Sequence, residues 1–352
     1  MSEGRYNPIL ALVVALTIVG GAALLSRASE TDQYTLPPQP LVDTGPELER
    51  LVQRDLQRVV DRTNAGFADL IERAAAARSN SERDRLLARA GDLMTADSVA
   101  DAVFDELGRD DGKGLLKEML DYRPSSGGLT SFGPGLERSI YAGTPFNAPL
   151  KIVPMLPTLR AHGVYFGGDK FGHFFQQGHE YYRAYRNARS KGATPARAAA
   201  RAVDIGTGQE KTIFGEWVDG VYSNADLAVN YAGLQFYLNL TRPVSINGVQ
   251  RLPLLVVRDE RWQLNPDAGT QPVRPFLTDH WDESLNPCRY GWTIRANVRK
   301  HVSARARAWA AYRNLTRQDA RALRSLQTWF GADYGHESAG ALTPLPDTWF
   351  DD

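Results

Sequence analysis

The run from Pro8 to Leu25, PILALVVALTIVGGAALL, holds eighteen residues without a charge, and beyond it apolar positions recur mostly at intervals of three and four. A run of that length suits one membrane span and exceeds a usual signal-peptide core, while the three-and-four recurrence belongs to helices with one buried face. The pattern predicts a 1–7 cytoplasmic tail, a transmembrane signal anchor at 8–26, a polar, proline-bearing linker over 27–45 and a helical body. The body opens with an amphipathic region, 46–122, in which Leu48, Leu51, Val52, Leu56, Val59, Val60 and Leu70 share a face. Ser81 and Thr95 are the caps expected for two further helices, the second ending at Gly108. Residues 123–165 are too rich in Gly, Pro and Ser for a long helix and read as a connection packed on the body through Phe132, Ile140, Tyr141, Phe146 and Ile152.

Two helix-compatible runs follow within 166–240, GGDKFGHFFQQGHEYYRAY and SNADLAVNYAGLQFYLNL, separated by a helix that Thr194 caps and Pro195 starts. Past Leu240, the Asn247-Gly248 pair and a β-branched run predict a hairpin within an irregular 241–290 segment. Basic helices at 291–332 and a 333–352 tail complete the chain. The fold class expected is mainly α: a membrane-anchored soluble helical bundle with a small β excursion.

Charge and cysteine content narrow the partners. Lys plus Arg and Asp plus Glu number 41 each, so no global charge draws the chain to nucleic acid, which is not an expected partner. Cys288 is the one cysteine, which rules out an internal disulfide, a zinc ribbon and a lipid anchor on a cysteine after the apolar run. Arg5 precedes that run, whereas Arg27 is soon diluted by Glu30 and Asp32, so positive-inside bias places the bulk outside the cytoplasm. In a bacterium this is a single-pass inner-membrane protein with a periplasmic body; a signal peptide cleaved near Ser26-Arg27-Ala28 is the rival reading. The basic stretch from Arg295 to Arg324 faces either anionic head groups or a phosphorylated ligand, or is a solvated face paired with the acidic helices of 82–111.

Chemistry concentrates in 166–240. Helical spacing from Asp169 puts His173, Gln176 or Gln177, and Glu180 on one stripe, and Asp226, Asn230 and Gly233 recur on a second helix after its cap, Ser223. Asp169, His173, Glu210, Asp226 and Asn230 are the candidate catalytic set. Lys170, Gln177, Glu216 and Ser223 are the candidate ligand-binding residues, with Glu216 the rival acid to Glu210. Carboxylates and imidazole converging among aromatics can hold a divalent metal, with Asp169, His173, Glu210 and Asp226 as donors, or act as acid and base without one. Each residue also has a purely structural account: Asp169 and Asp226 as helix caps, His173 as a satisfied core histidine, Lys170 as solvated or paired with Glu210. A further polar group, Asp279, His280, Asp282, Glu283 and Asn286, reads as a turn satisfied by its own acidic side chains or as a second polar site.

Asp169-Lys170-Phe171-Gly172-His173 forms D-K-x-x-H, and Ser223, Asp226, Asn230 and Gly233 form S-x-x-D-x-x-x-N-x-x-G, with Glu210 sixteen positions before Asp226. In these motifs, over about a fifth of the chain, the sequence resembles the VanZ-like family and related periplasmic envelope lipoproteins. The resemblance implies a cell-envelope role linked to glycopeptide resistance and supplies no settled reaction. VanZ-type motifs lie on transmembrane helices, whereas Lys170, Glu180, Arg183 and Arg186 make the first run here too polar to span, and Gly220 stands where an Arg is usual. The soluble, tethered variant is the closer comparison. The expected function is an envelope protein that binds, and hydrolyses or transfers, a polar or phosphorylated ligand, with the membrane and an envelope protein or lipid-linked ligand as partners. The competing expectation is a non-enzymatic scaffold whose polar cluster is structural and whose 46–108 helices recruit a partner.

Overall fold

The computed structural model describes residues 29–144, 155–212, 220–246, 248–286 and 288–312. The span expected at 8–26, the side chain of Glu210, all of Glu216 and the basic residues beyond Tyr312 lie outside what is described. The described residues are mainly α, and among them no helix is long and apolar enough to cross a membrane.

Four helices make up the first part: α1 (Gly45–Ala75), α2 (Asn80–Leu93), α3 (Ala96–Leu107) and α4 (Lys113–Asp121). Pro46 and Glu47 favour the start of α1, where a fixed φ and a negative charge suit the exposed N–H groups. Thr95 caps α3 by accepting from Ser98 N, and Gly108 ends it, as the sequence predicts. The cap of α2 is Ser79 rather than Ser81: Ser79 Oγ accepts from Glu82 N, because α2 begins at Asn80 and leaves Ser81 inside its first turn. The apolar faces of α1, α3 and α4 are not free surfaces. Leu48, Val52, Val99, Val103 and Met119 share one core with Phe166, Phe171, Phe174, Phe236 and Trp281.

Residues 123–165 differ from the expected connection, since they enter a three-stranded antiparallel sheet of Ser131–Phe132, Thr158–Ala161 and Val164–Gly167. The turn between the last two strands has His162 and Gly163 at φ 51 and 85. Its strain is offset by Asp43, whose carboxylate accepts from the backbone N–H groups of Gly45, His162 and Gly163. Of the side chains expected to pack this segment down, Ile140 and Tyr141 are buried, Phe132 is half-buried, and Phe146 and Ile152 lie outside the described residues. Within 241–290 the expected hairpin joins Val244–Ile246 to Val249–Arg251, and a second joins Leu255–Arg258 to Arg261–Leu264 through Asp259 and Glu260, both at positive φ.

The helix that begins at Lys170 widens to π geometry over Gly172–Gln177 before continuing as α5 (Gly178–Ser190), followed by α6 (Pro195–Thr212), α7 (Asn224–Asn239) and α8 (Trp292–Tyr312). The central element is α7, in which every residue except Tyr231 and Gln235 is buried. It packs against the π turn, α5, α6 and the short Asp279–Trp281 helix. Gly178 and Gly233 set its approach to the π turn and α5: a Cβ on Gly178 would lie 2.6 Å from Gly233 Cα, and one on Gly233 would collide with the Phe174 carbonyl. A second, smaller core gathers Tyr34, Ile140, Tyr141, Val221 and Cys288 with Ile294, Val298, Val302 and Trp309 of α8. The acidic side chains of α3 pair with Arg58, Arg62, Arg109 and Arg186, and the basic residues beyond Tyr312 expected to pair with this region lie outside the described residues.

Gly233→Ala should therefore force α5 and α7 apart and lower stability by about 1–3 kcal/mol or more in urea unfolding, as overpacking does. Gly208→Ala, with open space for a Cβ inside α6, should instead raise it by about 0.5–1 kcal/mol.

Candidate functional site

Lys170 is fully buried, and its ammonium is 2.5 Å from Asp169 Oδ2, 2.6 Å from Asp226 Oδ1 and 2.6 Å from Glu283 Oε1. The partners arrive from three places: the end of the Val164–Gly167 strand, the first turn of α7, and the segment after the Asp279–Trp281 helix. Burial alone would strip the proton from Lys170, but the fields of Asp169, Asp226 and Glu283 outweigh it and hold the ammonium well above its usual range. The structure thus overturns the reading of Lys170 as a solvated side chain.

His173 sits one turn on, half-buried, with Nε2 3.2 Å from Asp226 Oδ2 and Nδ1 3.0 Å from the Asn230 amide. That amide faces the carbonyls of His173 and Asp226, so its nitrogen belongs there, donating to them at 3.2 and 3.1 Å and to Nδ1 at 3.0 Å. In this orientation Nδ1 accepts, the ring proton is on Nε2, and His173 donates to Asp226. Burial would raise the Asp226 pKa, yet His173 and Lys170 together lower it below the ordinary carboxylate value. Ser223 Oγ accepts from Asp226 N and donates to Glu283 Oε1 at 3.3 Å, so the cap of α7 is also a wall of the cluster.

The sequence separates the Asp279–Glu283 group from this cluster, but the structure joins them. Glu283 is a Lys170 partner whose backbone N–H donates to Gln33 Oε1, and Asp282 accepts from Gln33 Nε2 as well as from Ser284. The turn is therefore not satisfied by its own side chains alone. Burial pushes the Glu283 pKa up; Lys170 works against this while Asp169 and Asp226 add to it, and the carboxyl ends at about 7. No spacing rule pairs a residue at 283 with one at 170, and only a buried lysine in need of counter-charge would have pointed to it.

Asp169, Lys170, His173, Ser223, Asp226 and Asn230 meet as the two motifs suggest. Asp169 uses its side chain on Lys170 rather than as a helix cap. Gln177, the last residue of the π turn, is half-buried with no hydrogen bond to the cluster, and Glu180 leaves the expected stripe to pair with Arg183 at the surface. The wide turn carries an extra residue, which rotates all that follows by about 100°. Glu210 is on α6 with its side chain outside what is described, as is the whole of Glu216. His179, two residues past the wide segment, is buried elsewhere, against Asp101 and stacked on Phe104.

One oxygen or nitrogen each from Asp169, His173 and Asp226 lies within 4.8 Å of the others, and Asp169 Oδ1 is buried with no hydrogen-bond partner. Three carboxylates face one ammonium, which leaves surplus negative charge in a desolvated place. Comparison of the chain with models of protein families, with characterised proteins and with solved structures gives no match.

Lys170→Met should cost on the order of 3–5 kcal/mol, because it leaves three buried carboxylates without their cation. The raised pKa of Glu283 means that the folded state takes up a proton between the ordinary value of 4.5 and about 7. Its contribution is present in full below about pH 4.5 and is lost as pH rises through about 7, a difference of about 3 kcal/mol. Glu283→Gln should flatten this part of the stability profile in urea unfolding at successive pH values. Asp226, with a lowered pKa, acts in the opposite sense and only at more acid pH.

Proposed function

We propose that this chain is a membrane-anchored cell-envelope protein, a helical bundle held at the periplasmic face of the inner membrane, whose buried cluster binds a divalent cation and through it a phosphorylated envelope ligand. The observation that carries the reading is the charge of the cluster: Asp169, Asp226 and Glu283 surround a single ammonium, with His173 half-exposed at the edge. A bare phosphate would meet mostly carboxylate there. A cation would not, and oxygen plus imidazole donors suit divalent first-row metals. Asp169, His173 and Asp226 would hold it, and it would supply Lewis-acid polarisation of a bound phosphoryl oxygen. Ligation through Nε2 would require the ring proton on Nδ1, and so a turn of the Asn230 amide that puts its oxygen towards the carbonyls of His173 and Asp226.

The VanZ-like resemblance supports the reading, because the motif residues that define it, 53 to 61 positions apart between Asp169–Lys170–His173 and Asp226–Asn230, are the ones brought together. Hydrolysis or transfer would need a proton acceptor. Glu283, with a pKa of about 7, stands closest to neutrality for that role, although it is buried behind Lys170. The scaffold reading has its own support: the network links Gln33, Lys170, α7 and Glu283, segments far apart in sequence. Of its recruiting helices, however, α3 and most of α1 have their apolar faces within the common core, and α2 packs on the end of α1.

The two readings part at His173. Full chain purified in mild detergent should retain equimolar divalent metal by elemental analysis. His173→Ala and Asp226→Asn should weaken metal binding by about tenfold or more. The half-exposed His173→Ala variant should keep stability within about 1 kcal/mol of wild type. Absence of metal from the wild type, or equal retention by both variants, would overturn the cation site. A stability loss in His173→Ala of about 2–5 kcal/mol with ligand binding intact would favour the scaffold.

A further inference from the structure

We infer that the exposed side of α8 rests on an anionic bilayer surface. The inference depends on the span proposed at residues 8–26. Within its 21 residues α8 carries Arg295, Arg299, Lys300, Arg305 and Arg307 and no carboxylate. Ile294, Val298, Val302 and Trp309 form its buried side. On the other side Trp292 is 85% exposed, more than any other large apolar side chain described, and Arg295, Arg299 and Lys300 are exposed around it. At about 100° per residue, Trp292, Arg299 and Ser303 lie close to one line, flanked by Arg295, Ala296 and Lys300. An indole held in water among cations and small residues is the composition of an interfacial helix: the ring sits at head-group depth and the cations meet lipid phosphates.

Placement supports the same occupant. Ser29, where the described chain begins, is four residues past Leu25, within about 14 Å of it at full extension. The chain that follows meets α8 at Tyr34 and, through Tyr141 and Tyr290, neighbours its start at Glu30. Tyr141 Oη donates to Glu30 Oε2 at 3.1 Å, and the Tyr141 ring meets Tyr290, two residues before Trp292, edge-on at 6.3 Å. Tyr34 reaches the other end of the helix, its ring 5.7 Å from that of Trp309. A span ending at Leu25 would bring the bilayer surface within reach of this helix, whose described charges are all positive. A protein partner with an acidic face fits the charge but not the position or the protruding indole.

The test uses the full chain in vesicles of phosphatidylcholine, with or without phosphatidylglycerol, carrying brominated acyl chains. The expected result is tryptophan quenching in excess of that in Trp292→Phe, only where phosphatidylglycerol is present, and loss of the excess in Arg299→Ser/Lys300→Ser and at high salt. Equal quenching of wild type and Trp292→Phe in both membranes would overturn the proposal, as would an excess of equal size in neutral vesicles. The substituted side chains are exposed, so circular dichroism and urea unfolding should match wild type. Retention on neutral vesicles through an alkaline wash reports the span separately. Retention without the excess quenching removes the α8 surface and keeps the span; excess quenching on anionic vesicles without retention removes the span and keeps the surface.

Discussion

A single ammonium decides where this fold converges. Lys170 is wholly withdrawn from water, and a charge so placed must be met by counter-charge at close range. Only Asp169 is supplied locally. Asp226 comes from the helix that forms the centre of the main core, and Glu283 from 113 residues away. Their convergence fixes the position of the strand end, of α7 and of the 279–283 segment together. The dependence is asymmetric: losing one carboxylate leaves Lys170 two partners, whereas losing Lys170 leaves three like charges in a desolvated place.

Close approach of backbones makes that convergence feasible. The π-helical Gly172–Gln177 segment and α7 could not bring His173 onto Asp226 and Asn230 at ordinary helix spacing, and the Gly178–Gly233 contact removes the side chains that would hold them apart. The widened turn does the complementary work. It lets Phe174 and Phe175 both enter the core while His173 keeps an exposed edge. The aromatic packing and the polar cluster therefore use opposite sides of one short irregular segment, and π geometry is common where a helix must serve both.

Local signals in the sequence were legible wherever the physics is local. The caps at Thr95 and Ser223, the termination at Gly108, the Asn247-Gly248 hairpin and the helical period of α1 all follow from neighbours within a few residues. The motif residues Asp169, His173, Asp226 and Asn230 could be named because two short patterns carry them. What escaped was set by distance or by irregularity. The Thr158–Gly167 hairpin hides in a stretch whose Gly and Pro content reads as loop, and its turn is held by Asp43 from another part of the chain. A uniform 3.6-residue period puts Glu180 on the His173 stripe, and the π turn between them breaks that period. Glu283 was visible only as part of an acidic turn, since the reason for its position is the burial of Lys170, which no periodicity reports.

The charge balance of the cluster also constrains what it can bind. With Lys170 protonated, Asp169, Asp226 and Glu283 leave two negative charges for His173 or a bound cation to meet when all three are ionised. Glu283 relieves one of them by keeping its proton up to about pH 7. A cation entering beside His173 would relieve the rest and would favour release of the Glu283 proton, so cation affinity and the ionisation of Glu283 are linked and must rise together with pH. An anion entering alone would do the reverse, holding that proton on and adding repulsion in a low-dielectric place. On the proposed reading, a phosphorylated group would meet repulsion from these carboxylates unless a cation had first offset their charge.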